Sequence, residues 1–146
     1  MPDLRDLYQQ LIIDHNQHPH NFGTLDGIEP AEGHNPLCGD RLELYLDLTG
    51  GHIHDIRFEG SGCAIFKAST SIMTTMVKGL NREEALALFE RFHRLATTGE
   101  RNEGEMGKLE ALADVHKYPA RVKCALLAWR TLEAGLQAQT ETITTE

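Results

Sequence analysis

The chain has 146 residues, of which 40% are hydrophobic and 25% are charged, as is usual for a globular protein with one modest core. Its formal net charge of −8 argues against nucleic acid as the main partner, because phosphate neutralisation needs a patch of Lys and Arg, and none is visible in the sequence. The apolar runs are too short for a membrane span and the first residues lack the layout of a signal peptide, so we expect a cytoplasmic protein that does not bind membranes.

An amphipathic helix is predicted at the N-terminus, where apolar residues recur at helical spacing until about His15. The stretch 16–33 then contains several Pro and Gly residues with little periodicity, which predicts a long surface connection. A histidine-rich polar loop is more often solvated than metal-binding. The sequence leaves open whether any of five histidines binds a metal: His15, His18, His20, His34 and His116.

The next feature is the loop Asn35–Asp40, which reads Asn-Pro-Leu-Cys-Gly-Asp. Asn-Pro and Gly are typical of turns, so they place Cys38 and Asp40 on a loop from which both side chains can point the same way. A thiolate and a carboxylate can both ligate a metal such as zinc, but tetrahedral coordination needs two further donors. The loop is therefore half of a candidate site.

A β-hairpin and a helix follow this loop. Leucines alternate with polar residues from Leu42 to Leu48, which predicts a strand with one buried face, and a Thr-Gly-Gly turn leads to a second strand, Ile53–Glu59. From Ala64 the apolar spacing becomes helical and continues to about Gly79. Cys63 is thus predicted at a helix N-terminus, where backbone N–H groups and the helix dipole favour its thiolate.

The last part of the chain is predicted to be helical with one loop. Asn81 and Glu84 resemble a capping box at the start of a helix, and Gly99–Gly107 is polar and glycine-rich, as in an exposed loop. A short helix around Leu109–Ala113 and a long one from Pro119 come next. We expect one domain over residues 1–136 and a polar, frayed tail over residues 137–146.

Cys124 is predicted in the early turns of this last helix, off its apolar stripe. The neighbouring charges of Arg121 and Lys123 and the helix dipole would lower the pKa of its thiol. Three cysteines do not suit a disulfide framework, and widely spaced thiols in a reducing compartment are typical of metal ligands or reactive groups. We therefore expect one site formed in the fold by Cys38, Asp40, Cys63 and Cys124; three buried core thiols are the alternative.

With its cysteines placed, the chain resembles the SufU branch of the IscU-like iron–sulfur cluster assembly proteins. The N-terminal stretch 8–23 is similar to the signature of that family, and Asn35–Asp40 and Gly60–Cys63 match its two cysteine loops. The third match is the segment Pro119–Cys124. The resemblance covers nearly the whole chain and implies an α+β fold, with a small antiparallel sheet, helices packed on it and the cysteine loops gathered at one end.

Two features indicate the SufU branch. Scaffold-type relatives carry a histidine directly before the third cysteine, whereas this chain has Lys123, which cannot ligate a metal when protonated. SufU-type relatives also carry an inserted segment before the last helix, and residues 95–118 resemble it.

The resemblance implies a zinc-dependent sulfurtransferase that accepts persulfide sulfur from a pyridoxal-phosphate (PLP) cysteine desulfurase of the SufS type. Cys38, Asp40, Cys63 and Cys124 would hold zinc, Cys38 would also be the sulfur acceptor, and downstream Suf scaffold proteins would be possible recipients. Arg121 would orient the partner or pair with Cys38 once that thiolate leaves the metal.

Three other functions are weighed. An IscU-type scaffold would use the same thiolates to hold iron or a transient iron–sulfur cluster, although Lys123 argues against it. A cysteine hydrolase with Cys38 as nucleophile and His34 as base lacks a recognisable third group. A purely structural zinc site would more often use a local Cys-x-x-Cys pair.

Overall fold

The computed structural model describes residues 4–100, 107–137 and 143–144. Most of the predicted loop Gly99–Gly107 therefore lies outside the described residues. The elements, in chain order, are α1 (Leu4–Gln17), β1 (Ala31–Asn35), β2 (Asp40–Thr49), β3 (His52–Ser61), α2 (Ala64–Val77), α3 (Arg82–Thr98), a 3-10 segment (Gly107–Lys117), α4 (Pro119–Leu136) and β4 (Ile143–Thr144). Among the described helices, none has the length and apolar character needed to cross a membrane.

The sheet has the strand order β3-β2-β1-β4, and its first three strands are antiparallel, which confirms the predicted α+β fold. The predicted hairpin is β2–β3, with Leu44 opposite Phe58. Leu42 and Leu44 are buried as expected, but Leu48 is 41% exposed. The register shifts between Asp47 and Leu48, so the alternation of buried and exposed residues does not continue to the end of β2.

Strand β1 lies within and just beyond the stretch predicted to be a surface connection, so that prediction is wrong for residues 31–33. Its five residues, Ala-Glu-Gly-His-Asn, lack the alternating apolar pattern that indicates a strand. Gly33 explains how the strand packs, since a Cβ at this position would collide with Thr131 Oγ1 of α4. The backbone of β1 therefore lies directly against α4, and this contact brings the Cys38 loop close to the start of that helix.

The helices cover one face of the sheet and supply most of the core. Trp129 of α4 packs against Phe89 and Phe92 of α3, with ring centroids 6.1 and 5.0 Å away. The predicted capping box is confirmed, because Asn81 accepts a hydrogen bond from the backbone N–H of Glu84 and the Glu84 carboxylate accepts one from that of Asn81. The predicted short helix is the 3-10 segment.

Most of the tail that was predicted to be frayed lies outside the described residues, but two of its residues form a short strand. Ile143 and Thr144 form β4 and pair in parallel with Gly33 and His34 of β1. Because β2 occupies only one edge of β1, the other edge offers unpaired backbone groups to a second strand.

Helix α1 is attached to the core through a buried histidine, His15, which stacks on the exposed His20. His15 is 3% exposed, and its Nδ1 lies 2.6 Å from Ser71 Oγ on α2. Its ring stacks on His20 at 4.7 Å, and the backbone N–H of His20 donates to the same Ser71 Oγ. Burial, with the nearby positive charges of His20 and Lys108, lowers the pKa of His15 to about 4.

This histidine should make the stability depend on pH. Between about pH 6.5 and 4 the unfolded chain binds a proton at His15 that the folded chain excludes, so the free energy of unfolding should fall as pH decreases through this window. The loss should be on the order of 3 kcal/mol, at roughly 1.4 kcal/mol per pKa unit. Urea unfolding across the window should show it. A His15→Asn variant should lose most of this slope, whereas His54→Asn, at an exposed site on β3, should keep it; equal slopes would refute the assignment.

Candidate metal centre

The Cys38 loop connects β1 to β2 and is organised by Asn35. The Asn35 side-chain oxygen accepts a hydrogen bond from the backbone N–H of Leu37, and the Asn35 carbonyl accepts one from Gly39 at 2.8 Å. Gly39 has a φ of +73°, which a residue with a side chain rarely adopts. The tight turn leaves Cys38 exposed at its tip and buries Asp40 at the start of β2.

The Cys63 loop joins β3 to α2 and approaches Asp40 closely. The backbone N–H of Cys63 donates to Asp40 Oδ1 at 2.9 Å. A Cβ on Gly62 would collide with the same oxygen, so only glycine allows this approach. As predicted, Cys63 is the N-cap residue of α2, and its sulfur accepts a hydrogen bond from the backbone N–H of Phe66 at 3.4 Å.

Cys124 completes the cluster from the second turn of α4. Its thiol donates to Cys38 Sγ at 3.2 Å, and the Asn35 amide donates to its sulfur at 3.7 Å. Ligand atoms of Cys38, Asp40 and Cys124 all lie within 4.8 Å of one another, so these three residues could hold a metal ion. The sulfur of Cys63 lies outside this group, although it is close enough to Cys124 to influence its pKa. That all four residues are ligands remains a prediction.

The prediction that the Cys124 thiol has a lowered pKa is wrong. Burial raises the pKa of Cys124 well above its usual value, and hydrogen bonds with Cys38, Asp40 and Cys63 raise it further. Cys124 is fully buried, so desolvation outweighs the helix dipole and the nearby charges of Arg121 and Lys123. Coordination to a metal would reverse the effect, because it deprotonates a thiol.

The chemistry of the cluster fits a thiophilic divalent metal. It offers sulfur and carboxylate donors at one point, which is a donor set that zinc accepts. Asp40 is fully buried, and the ion pairs among the described residues do not include it. A buried carboxylate whose hydrogen-bond donors are neutral groups is costly, and a cation beside it would remove much of that cost.

The remaining candidate residues lie around this cluster. Arg121 is exposed on the first turn of α4, and Lys123 is half-buried beside Cys124. His34 is half-buried on β1. Among the described residues, the Cys38 thiol is hydrogen-bonded to Cys124 and not to His34, so the Cys38–His34 pair that a hydrolase would need does not form.

Asn35 is a residue whose role the sequence did not indicate. Its side chain is fully buried, and its amide donates to both Asp40 and Cys124. An Asn before Pro indicates a turn, and the neighbouring sequence does not show whether its side chain also hydrogen-bonds to metal-ligating residues. Its structural role depends on Cys124, which is 89 residues away in the chain.

The chain is similar to known proteins over nearly its whole length. Residues 7–139 match the family model described as NifU-like N terminal domain. The zinc-dependent sulfurtransferase SufU of Bacillus subtilis is 42% identical, over 92% of this chain and 92% of its own length. The iron–sulfur cluster assembly scaffold protein IscU of Streptococcus pyogenes is also 42% identical, over 92% of this chain and 85% of its own.

A solved structure shares the fold. It is described as a candidate iron–sulfur cluster assembly scaffold protein for the SUF system from Fervidobacterium islandicum, and it is 33% identical. It superimposes with a TM-score of 0.80 and covers 95% of this chain and 100% of its own. The likeness therefore extends through sequence and fold over nearly the whole chain.

Proposed function

Because the chain belongs to the family of NifU-like N-terminal domains, which act in iron–sulfur cluster assembly, we propose that it is a zinc-dependent sulfur acceptor. Cys38 receives sulfur from a PLP cysteine desulfurase, and Cys38, Asp40, Cys63 and Cys124 hold the zinc. One observation carries the proposal: the cluster joins an exposed thiol, Cys38, to a buried thiol and a buried carboxylate.

The contrast in burial assigns different roles to the donors. Bound zinc keeps thiolates deprotonated and subdues their reactivity. Cys38 lies on an exposed loop and can leave the cluster without disturbing the core, whereas Asp40 and Cys124 are fully buried and stay in place. A partner side chain that takes the place of Cys38 would therefore release a nucleophile and leave the centre intact.

Sulfur transfer is then a thiol–persulfide exchange. The Cys38 thiolate attacks the outer sulfur of the persulfide on the desulfurase, the sulfur–sulfur bond of that persulfide breaks, and the desulfurase cysteine leaves as a thiolate. The product is a persulfide on Cys38, which is exposed and can pass its sulfur to a downstream scaffold protein. No oxidant or reductant is needed.

A second candidate is a scaffold that assembles an iron–sulfur cluster on the same thiolates. It is favoured by the name and 42% identity of the Streptococcus relative, and by the interaction of Cys124 with both Cys38 and Cys63. Lys123, which stands where scaffold-type relatives carry a histidine ligand, favours the acceptor instead.

The proposal is tested by measuring metal and sulfur in one sample. The purified chain should contain about one zinc, and it should gain a persulfide when mixed with a cysteine desulfurase and free cysteine in the absence of iron. Elemental analysis and intact-protein mass spectrometry give both values. A protein that contains zinc but never receives sulfur would be a structural zinc protein.

Arg121 provides a further prediction. It is exposed one helical turn before Cys124, where its guanidinium can reach a partner or stabilise the released Cys38 thiolate. A sulfur acceptor should stimulate the desulfurase, because it removes the persulfide sulfur and frees that enzyme for another cycle. Arg121→Ala should keep zinc and fold but reduce this stimulation by about tenfold or more, equivalent to ~1.4 kcal/mol. Arg91→Ala, at an exposed site on α3, is the matched control and should behave as wild type. If both variants stimulate equally, Arg121 is only a surface residue.

A further inference from the structure

The closest sulfur pair in the cluster is asymmetric. Cys124 Sγ lies 3.2 Å from Cys38 Sγ, within hydrogen-bond distance. Cys38 is exposed at a loop tip, whereas Cys124 is fully buried on α4. An accessible thiol that meets small oxidants first, with a protected thiol behind it, is the arrangement found in cysteines that form reversible disulfides.

We propose that Cys38 and Cys124 form a redox-modification site at which a hydroperoxide converts the two thiols into a disulfide. The Cys38 thiolate attacks one peroxide oxygen, the O–O bond breaks, hydroxide leaves and Cys38 becomes a sulfenic acid. The Cys124 sulfur then attacks the Cys38 sulfur, the S–O bond breaks and the hydroxyl leaves with the Cys124 proton as water. The peroxide is the oxidant, and it takes up the two electrons that the thiols lose.

The geometry requires only a small movement. A disulfide has a sulfur–sulfur distance of about 2.05 Å, so the pair must approach by roughly 1 Å. The loop residues from Pro36 to Gly39 are exposed, and they can supply that movement while α4 remains fixed in the core.

Cys63 is the competing partner, and the structure favours Cys38 over it. The sulfur of Cys63 accepts the N–H of Phe66 at the start of α2, which holds it at the N-cap position. It lies outside the group of ligand atoms that are all within 4.8 Å of one another, whereas Cys38 and Cys124 both belong to that group. The expected linkage is therefore Cys38–Cys124.

The linkage would control the centre. Both sulfurs are proposed zinc ligands, so a disulfide between them removes two donors, and zinc binding and oxidation exclude each other. This consequence rests on the proposed function, whereas the disulfide itself rests only on the two thiols. Oxidation would also remove the thiol that accepts sulfur, and a dithiol reductant would restore it.

The test uses the full chain after zinc removal with a chelator, followed by hydrogen peroxide. Peptide mapping without reduction should find Cys38 linked to Cys124, with two of the three thiols lost to a thiol reagent and recovered after reduction. Zinc-loaded protein should oxidise several-fold more slowly and release its zinc as the disulfide forms. Cys63→Ser should leave the linkage unchanged.

Other products overturn the proposal. A Cys63–Cys124 linkage, a disulfide between two chains, or sulfinic acid on Cys38 with Cys124 still free would each do so. Because mapping is done on the wild-type chain, the result does not depend on whether a Cys124 variant folds. If the disulfide forms but the Cys38 persulfide does not, the sulfur-acceptor function is rejected and the redox site is kept. If the persulfide forms but the disulfide does not, only the redox site is rejected.

Discussion

Replacing Cys124 with alanine is expected to reduce zinc from about one per chain to nearly none and to lower stability. Cys124 is fully buried and lies at the centre of the cluster, where it contacts Cys38 and the Asn35 amide. Without its sulfur the remaining donors cannot close a tetrahedral site. If free zinc is about a hundredfold above its dissociation constant, the lost binding corresponds to about 2.7 kcal/mol of stability. Elemental analysis and urea unfolding measure the two effects.

The controls separate metal loss from damage to the core. Leu132→Ala, at a site that is 1% exposed on the same helix, should destabilise the fold by about 2–5 kcal/mol and keep zinc. A chelator should destabilise wild type and Leu132→Ala but leave Cys124→Ala unchanged. Cys63→Ala should also lose metal, and Asp40→Ala should bind it more weakly. Stoichiometric zinc in a protein that lacks both Cys63 and Cys124 would exclude the proposed ligand set.

Much of the fold follows from local patterns in the sequence. The β2–β3 hairpin and α2 were predicted because alternation in Leu42–Leu48 gives way to helical spacing after Cys63. The capping box at Asn81 was predicted from two residues, since a cap is a local structure. β1 was not predicted, because Gly33 gains its burial from α4, almost 100 positions further along the chain. A strand that packs through its backbone leaves no apolar pattern.

The sequence could name Cys38, Asp40 and Cys124, which the structure brings together, but it could not give the electrostatics of this cluster. The chain has three cysteines, and each lies beside a turn or a helix start, so the sequence could identify the candidates. It could not reveal that residues 124–129 are all buried. In this part of α4, nearly every side of the helix therefore contacts the core. Local charges predicted a lowered pKa for Cys124, whereas the burial that raises it arises only when α4 packs against the sheet and α2.

Replacing Cys38 with serine should abolish sulfur uptake while zinc loss remains partial and the fold is kept. Cys38 is the exposed donor of the cluster, so a hydroxyl there should cost little packing. An alcohol does not form a persulfide under these conditions, so incubation with a desulfurase, labelled cysteine and no iron should transfer no label. Mass spectrometry and zinc analysis of the same sample measure both effects. Leu48→Ser, at a 41% exposed site near the far end of β2, is the matched control and should accept sulfur normally.

The same experiment decides between acceptor and scaffold. An acceptor needs one nucleophilic thiol and a metal that stays bound, so label should be found on Cys38 of the wild-type chain while zinc remains. A scaffold would need iron in place of zinc, and after reconstitution it would show the absorption bands of a cluster with its thiolates occupied as ligands. We expect the acceptor result, because Lys123 cannot supply the ligand that a histidine would. Label on Cys63 or Cys124, or a stable cluster that readily displaces zinc, would instead establish the scaffold or another sulfur route.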